Sequence, residues 1–207
     1  MAGINTIIFD LGGVLVDWNP QYVFNETYFD SIEKRDHFLT HICSLDWNEE
    51  QDAGRSIVVA TEELIKEFPD WESSIRDYYG RWTDMLNGPI SGTVDIFRQL
   101  KDSGKYKHYA LTNWQAGLFD IALVRYDFLQ WFDGRVVSGE EKMRKPAPEF
   151  YQLLLSRYNV KADEALFIDD NFRNIKAAKA LGINSIHFQS AEQLAAALLT
   201  YNIAVES

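Results

Sequence analysis

One cysteine, Cys43, stands in 207 residues, so no disulfide can close within the chain. That fits a reducing compartment. No run reaches the roughly 18 apolar residues that a membrane-spanning helix needs. The first residues lack a basic stretch followed by an apolar one, so no secretory signal is expected and a cytoplasmic location is. Basic residues are scarce: 20 Lys and Arg face 31 Asp and Glu, a formal net charge of −11. No Lys/Arg cluster is present, which argues against nucleic acid, whose phosphates reward a basic patch. A membrane partner is not expected either. A small anionic substrate needs only a local positive pocket and stays open. The histidines show no metal-ligand spacing, and there are no internal repeats or low-complexity segments.

What remains is ordinary for a globular protein: 46% hydrophobic and 25% charged residues. The most informative stretch is Ile7-Ile8-Phe9-Asp10-Leu11-Gly12-Gly13-Val14-Leu15. Continuous apolar runs are typical of parallel strands buried on both faces. A carboxylate at the carboxyl end of such a strand lies where open α/β sheets bind ligands. Four more short apolar runs follow, at 108–112, 135–138, 165–169 and 184–188. Helical patterns separate them at 94–103, 117–126, 148–158 and 174–181, and an Ala-rich closing helix is expected at 191–199. This alternation predicts an α/β fold with right-handed crossovers. Residues 18–89 differ. They are rich in Glu, Asp and Trp, with helical apolar spacing and no convincing two-residue period. The expectation is a helical insert lying over the end of the first strand as a cap, with residues 1–17 and 90–207 as the catalytic core.

Four polar clusters fall at or just after the carboxyl ends of the predicted strands: Asp10, Thr112-Asn113, Arg144-Lys145-Pro146 and Asp169-Asp170. Parallel strands bring them to one edge. Carboxylates suit Mg²⁺, an oxygen-seeking ion that keeps several waters. A hydroxyl and a lysine suit phosphate oxygens, and a central carboxylate can attack phosphorus. Taken singly, these residues are more often turn residues, helix caps or solvated charges. Their shared order and placement carry the signal.

Together the four clusters resemble motifs I to IV of the haloacid dehalogenase-like hydrolase superfamily, over Ile7 to about Phe188. The most specific stretches are Phe167-Ile-Asp-Asp-Asn-Phe-Arg-Asn-Ile175 and Met143-Arg-Lys-Pro-Ala-Pro-Glu-Phe-Tyr151. The resemblance implies a Rossmann-like three-layer parallel-sheet core with a C1-type helical cap inserted after the first strand. It implies Asp10 as nucleophile and Lys145 beside it. Mg²⁺ would be held by Asp10, the Gly12 carbonyl and the pair Asp169 and Asp170, with Asp170 the direct ligand. Thr112, Asn113 and Lys145 would bind the phosphoryl group of a small phosphorylated metabolite. In the cap, Trp18, Trp47 and the Gln51-Asp52-Ala53-Gly54-Arg55 segment are candidate substrate contacts, Arg55 for a hydroxyl or phosphate oxygen, although tryptophans in the cap core and a solvated arginine are the more ordinary reading. The oligomeric state is left open.

One position departs from the family's phosphatase pattern. A second Asp, the general acid/base, usually follows the nucleophile by two residues, and here that residue is Gly12. Losing a general acid typically costs about 10²–10⁴-fold in rate. The Asp-Leu-Gly-Gly start resembles the branch of α-D-glucose-1-phosphate phosphatases, whose anomeric phosphate leaves more readily than an alkyl one. Asp17 is a distant candidate replacement. Two other readings compete with a phosphatase. One is a 2-haloacid dehalogenase, disfavoured because Asp169-Asp170 stands where those enzymes carry Ser-Asn. The other is a catalytically weakened phosphometabolite-binding protein, motivated by Gly12.

Overall fold

The computed structural model describes residues 3–205. Strand β1 (Thr6–Phe9) is buried along its whole length. After it, a short strand β2 (Val16–Trp18) leads into a helical insert. The insert holds α1 (Glu26–Phe29), α2 (Ile32–His37), a π turn at Phe38–Ile42, α3 (Leu45–Asp52), α4 (Ile57–Glu67) and α5 (Glu72–Gly80). It returns through β3 (Leu86–Pro89), antiparallel to β2. The chain then alternates: α6 (Ser91–Asp102), β4 (Lys107–Thr112), α7 (Ala116–Arg125), β5 (Gly134–Val137), α8 (Ser138–Glu141), α9 (Pro148–Arg157), β6 (Ala165–Asp169), α10 (Phe172–Ala180), β7 (Asn184–His187) and α11 (Ala191–Leu199).

The five core strands form a parallel sheet in the order β5-β4-β1-β6-β7. Side chains alternate across a strand, so neighbours in sequence feed opposite layers. Ile7 and Phe9 join Phe97, Leu100, Leu194 and Leu198 on one face. Ile8 joins Leu111, Phe150, Leu154, Phe167 and Ile175 on the other. Both faces are thus covered by helices, which is why these strands read as unbroken apolar runs. The chain winds outward from β1 through β4 to β5, then crosses back to β6. The reversal lies between β1 and β6, where an open α/β sheet leaves a crevice outside the strand ends.

Capping explains where the insert's helices begin. The side chains of Asn25, Ser31, Ser44 and Ser56 accept the backbone N–H of Tyr28, Lys34, Trp47 and Val59 respectively. Each satisfies a donor that a helix start leaves unpaired. Aromatic rings fill the interior: Phe24 packs against Phe29, Phe38 and Tyr78 at centroid distances of 4.8–6.1 Å. These rings are continuous with the apolar cluster around Phe9 and Leu166. The mostly helical segment expected at 18–89 carries strand residues at its two edges. Trp18 pairs with Leu86, and β3 ends at Pro89. The β2–β3 ribbon is too short, and too interrupted by Gly88 and Pro89, to show a two-residue period. Among the described residues, no helix is long and apolar enough to cross a membrane.

A buried histidine marks the sheet. His108 on β4 is 2% exposed, its ring packs on Phe97 at 5.4 Å, and its Nε2 has no partner. Burial lowers its pKa from the usual 6.5 to about 4, against the opposing pull of Asp133. The unfolded chain therefore binds this proton first, and stability falls as pH drops from 6.5 toward 4. The slope from this group is at most about 1.4 kcal/mol per pH unit. Urea midpoints measured from about pH 7 down to about pH 5 should fall, and His108→Phe should flatten that trend.

Candidate active site

Asp10 follows β1 at the reversal of the sheet, and its N–H donates to the Ile168 carbonyl of β6. One carboxylate oxygen accepts the Leu11 N–H at 2.7 Å. The other lies 2.8 Å from the Lys145 ammonium. Lys145 is completely buried, and its Nζ also lies 2.7 Å from Asp169 Oδ2. Asp169 ends β6 with no exposure, and its Oδ1 accepts the Asn171 N–H at 2.7 Å. The Asn174 amide donates to the same carboxylate at 3.1 Å. The Lys145 backbone is fixed as well. Its N–H donates to Asn113 Oδ1 at 2.8 Å, and its carbonyl accepts from Asn113 Nδ2 at 3.0 Å.

A buried ammonium is costly unless it is paired and hydrogen-bonded. Here two carboxylates hold it charged and raise its pKa, against a burial effect that would lower it. The balance still leaves an excess of negative charge. Asp10, Asp169 and Asp170 each bring an oxygen to within 4.8 Å of the others. Three carboxylates against one ammonium leave two negative charges, which one divalent cation neutralises. Without that cation, burial and the two neighbouring carboxylates push the Asp10 pKa well above its usual value.

The donor set fits Mg²⁺. Asp169 is occupied by Lys145, Asn171 and Asn174, whereas Asp170 forms no ion pair among the described residues. The carboxyls of Asp10 and Asp170, with the Gly12 carbonyl of the sequence expectation, could hold such an ion. Gly13 makes room for this arrangement. Its φ is +72°, and a Cβ there would sit 2.2 Å from Asp170 Oδ2. A Cβ on Gly12 would meet nothing within 4 Å, so no steric demand explains that glycine.

The cleft above these groups has a volume of about 600 Å³. Asp10, Gly12, Gly13, Trp18, Asn113, Lys145 and Asp170 line it, with Leu45, Asn48, Glu49 and Asp52 of α3 opposite. A side recess of about 80 Å³ lies between Gly12, Trp18, Asn48, Asp52, Trp82, Asn113 and Trp114. The buried indole N–H groups of Trp18 and Trp114 have no partner. Thr112 is buried at the end of β4 with its hydroxyl also unpartnered. Asn113 lies in the cleft wall, but its amide is spent on Lys145, so it positions the lysine.

Arg55 is not brought to the cleft. It is half-exposed and pairs with Glu63 at 2.5 Å, because α3 ends at Asp52 and Gly54 turns the chain outward with φ +97°. Asp17 is also elsewhere, held by Tyr22 and Asn87 beside the β2–β3 ribbon. The sequence reading missed His187, whose Nε2 bonds the Asp170 carbonyl, and Asn48 and Glu49 of α3, although it had singled out Asp52 within the 51–55 segment. A signal for α3 existed: Asn48 and Asp52 are four apart and share one helix face.

Helix α3 is tied to the core across the cleft. Glu49 pairs with Arg144 and Arg173, and Glu50 lies 3.1 Å from Arg144. Ser138 donates to the Asp52 carbonyl at 2.6 Å, and the Gln115 N–H donates to its carboxylate at 3.1 Å. Burial pushes the Asp52 carboxyl up to about 7, which the Gln115 N–H opposes.

Comparison with known proteins adds four findings. A family model described as haloacid dehalogenase-like hydrolase matches residues 4–182. The sesquiterpene phosphatase astK of Aspergillus oryzae is 31% identical over 182 residues, covering 87% of each chain. A phosphorylated carbohydrates phosphatase of Thermotoga maritima is 24% identical, over 89% of this chain and 84% of its own. Among solved structures, the magnesium complex of the HAD family enzyme BT-2542 from Bacteroides thetaiotaomicron superposes with a TM-score of 0.70. It is 20% identical and covers 91% of this chain and 95% of its own.

Two outcomes follow from the buried charges. Mg²⁺ should raise the thermal midpoint, by about 2.7 kcal/mol of added stability at one hundred times its Kd, and Asp170→Asn should abolish the shift. Lys145→Met leaves two carboxylates buried without their cation. It should cost about 3–5 kcal/mol by urea unfolding in the absence of metal.

Proposed function

We propose, for a chain that belongs to the haloacid dehalogenase-like hydrolase family, that it hydrolyses small phosphomonoesters with Mg²⁺ through an aspartyl-phosphate on Asp10. The observation that carries this reading is the buried Asp10–Lys145–Asp169 array with Asp170 unpaired beside it. It supplies a fixed carboxylate, a fixed positive charge and a place for a dication at one point of one cleft. The names of two relatives, a sesquiterpene phosphatase and a phosphorylated carbohydrates phosphatase, support the reaction class.

In this mechanism Lys145 and the Leu11 N–H orient the Asp10 carboxylate toward the cleft. Asp10 attacks phosphorus as the bond to the leaving alcohol breaks. Water then attacks the same phosphorus, releasing phosphate and restoring Asp10. The unpartnered Thr112 hydroxyl donates to a phosphoryl oxygen, and Lys145 sets its charge beside that group. Bound Mg²⁺ offsets the repulsion between anionic nucleophile and anionic substrate. Asn113 keeps Lys145 in register.

We assign residues 18–89 as the cap, which selects the leaving group. The recess beside Gly12 is small and bounded by three indoles, with two N–H donors among its residues unsatisfied. Such a surface suits the C–H faces of a sugar ring, which pack on indoles. A sugar phosphate is the proposed substrate class.

Phosphate release from a panel of sugar and prenyl monophosphates should require Mg²⁺ and favour the sugars. Asp10→Asn should reduce it to background, and chelator should do the same reversibly. Metal-independent halide release from 2-haloacids would instead support the dehalogenase reading. Tight binding of a phosphometabolite without turnover of any ester would support a binding protein.

A further inference from the structure

Within the proposed phosphatase reading, the acid/base group is the missing part. A carboxyl at residue 12 would stand in the cleft, and Gly12 has none. The ionisable side chains lining that cleft, apart from Asp10, Lys145 and Asp170, are Glu49, Asp52 and His187. Glu49 is committed to Arg144 and Arg173. His187 is bonded to the Asp170 carbonyl. Asp52 alone lines both the main cleft and the recess that contains Gly12.

We propose that Asp52, carried by the insert, is the acid/base group that Gly12 does not supply. In the first half-reaction the Asp52 carboxyl gives its proton to the leaving oxygen as the phosphorus–oxygen bond breaks and the Asp10–phosphorus bond forms. In the second, the Asp52 carboxylate takes a proton from the water that attacks phosphorus, while the Asp10–phosphorus bond breaks. The sum is one ester and one water converted to one alcohol and one phosphate, with both aspartates regenerated.

The surroundings of Asp52 suit that role. Its oxygens accept one N–H each, from Gln115 at 3.1 Å and Asn48 at 3.0 Å. Those bonds hold the carboxyl in place and leave further lone pairs free. Asn48 is itself fixed by the Tyr79 hydroxyl at 2.9 Å. Glu49 on the same helix adds negative charge and Arg144 from the core opposes it. Burial is the larger influence and holds the carboxyl near 7, where it can both give and take a proton. Asp52 reaches this position only when α3 is seated on Ser138 and Gln115. Seating the insert therefore completes the site.

The test compares kcat/KM for para-nitrophenyl phosphate, whose leaving group needs no proton, with that for glycerol phosphate, whose alkoxide does. Asp52→Asn keeps the shape and should lower the glycerol phosphate value by about 10²–10⁴-fold. It should leave the para-nitrophenyl value within about threefold and produce a burst of para-nitrophenolate, because water attack on the aspartyl-phosphate has lost its base. Adding Gly12→Asp to Asp52→Asn should restore much of the glycerol phosphate activity. A second measurement needs no variant: wild-type kcat/KM across alkyl and aryl phosphates should depend only weakly on leaving-group basicity. Equal losses on both substrates, no loss on either, or a steep wild-type dependence would each overturn the role of Asp52 alone. Absence of para-nitrophenyl phosphate turnover by the wild type would overturn the phosphatase reading and this inference with it.

Discussion

The buried ammonium of Lys145 is the contact around which the molecule is arranged. It has no exposure and no solvent to stabilise it, so it requires both Asp10 and Asp169 within 2.8 Å. Those two carboxylates come from the ends of adjacent parallel strands, β1 and β6, while Lys145 arrives on the connection that crosses back from β5 to β6. The sheet order is therefore coupled to an electrostatic requirement. The supporting bonds serve the same end: Asn113 holds the lysine backbone, and Asn174 and the Asn171 N–H hold Asp169. Replacing such an array by apolar side chains could fold as well or better. We read its retention as the mark of a reaction centre.

The array also bears on the metal. Asp169 is consumed by protein contacts, which leaves Asp170 as the acid of the cluster without an ion pair among the described residues. Asp170 with Asp10 could offer a sparse set of hard oxygens that leaves positions for water, as Mg²⁺ prefers. Gly13 belongs to the same design, since any side chain there would collide with Asp170.

The insert contributes chemistry through one helix. Along α3, Glu49 reaches two core arginines while Asp52 meets Ser138 and Gln115, so both residues bind the core through the helix's cleft-facing side. Charge pairs at the rim and neutral hydrogen bonds inside make a seat that can form and break at modest cost, because partly exposed ion pairs are individually weak. The placement of Asp52 against the core depends on that seat.

Much of this was legible beforehand. The apolar runs at 7–9, 108–112 and 165–169 announced buried parallel strands, and the polar residues at their ends announced a site at one edge. Local composition suffices there, because a strand buried on both faces can hardly be anything but continuously apolar. The β2–β3 ribbon escaped notice because it is too short to be periodic. Arg55 was misplaced because a turn of chain direction at Gly54 depends on a backbone angle, not on composition. By itself the sequence singled out Asp10, Lys145, the acidic pair Asp169-Asp170 and the absence of a side chain at Gly12. Tertiary structure alone decided which acid is free for metal and that Asp52, forty-two residues beyond Asp10, lines the recess beside Gly12. Those are matters of which groups consume one another's hydrogen bonds across the fold, and no spacing along the chain encodes them.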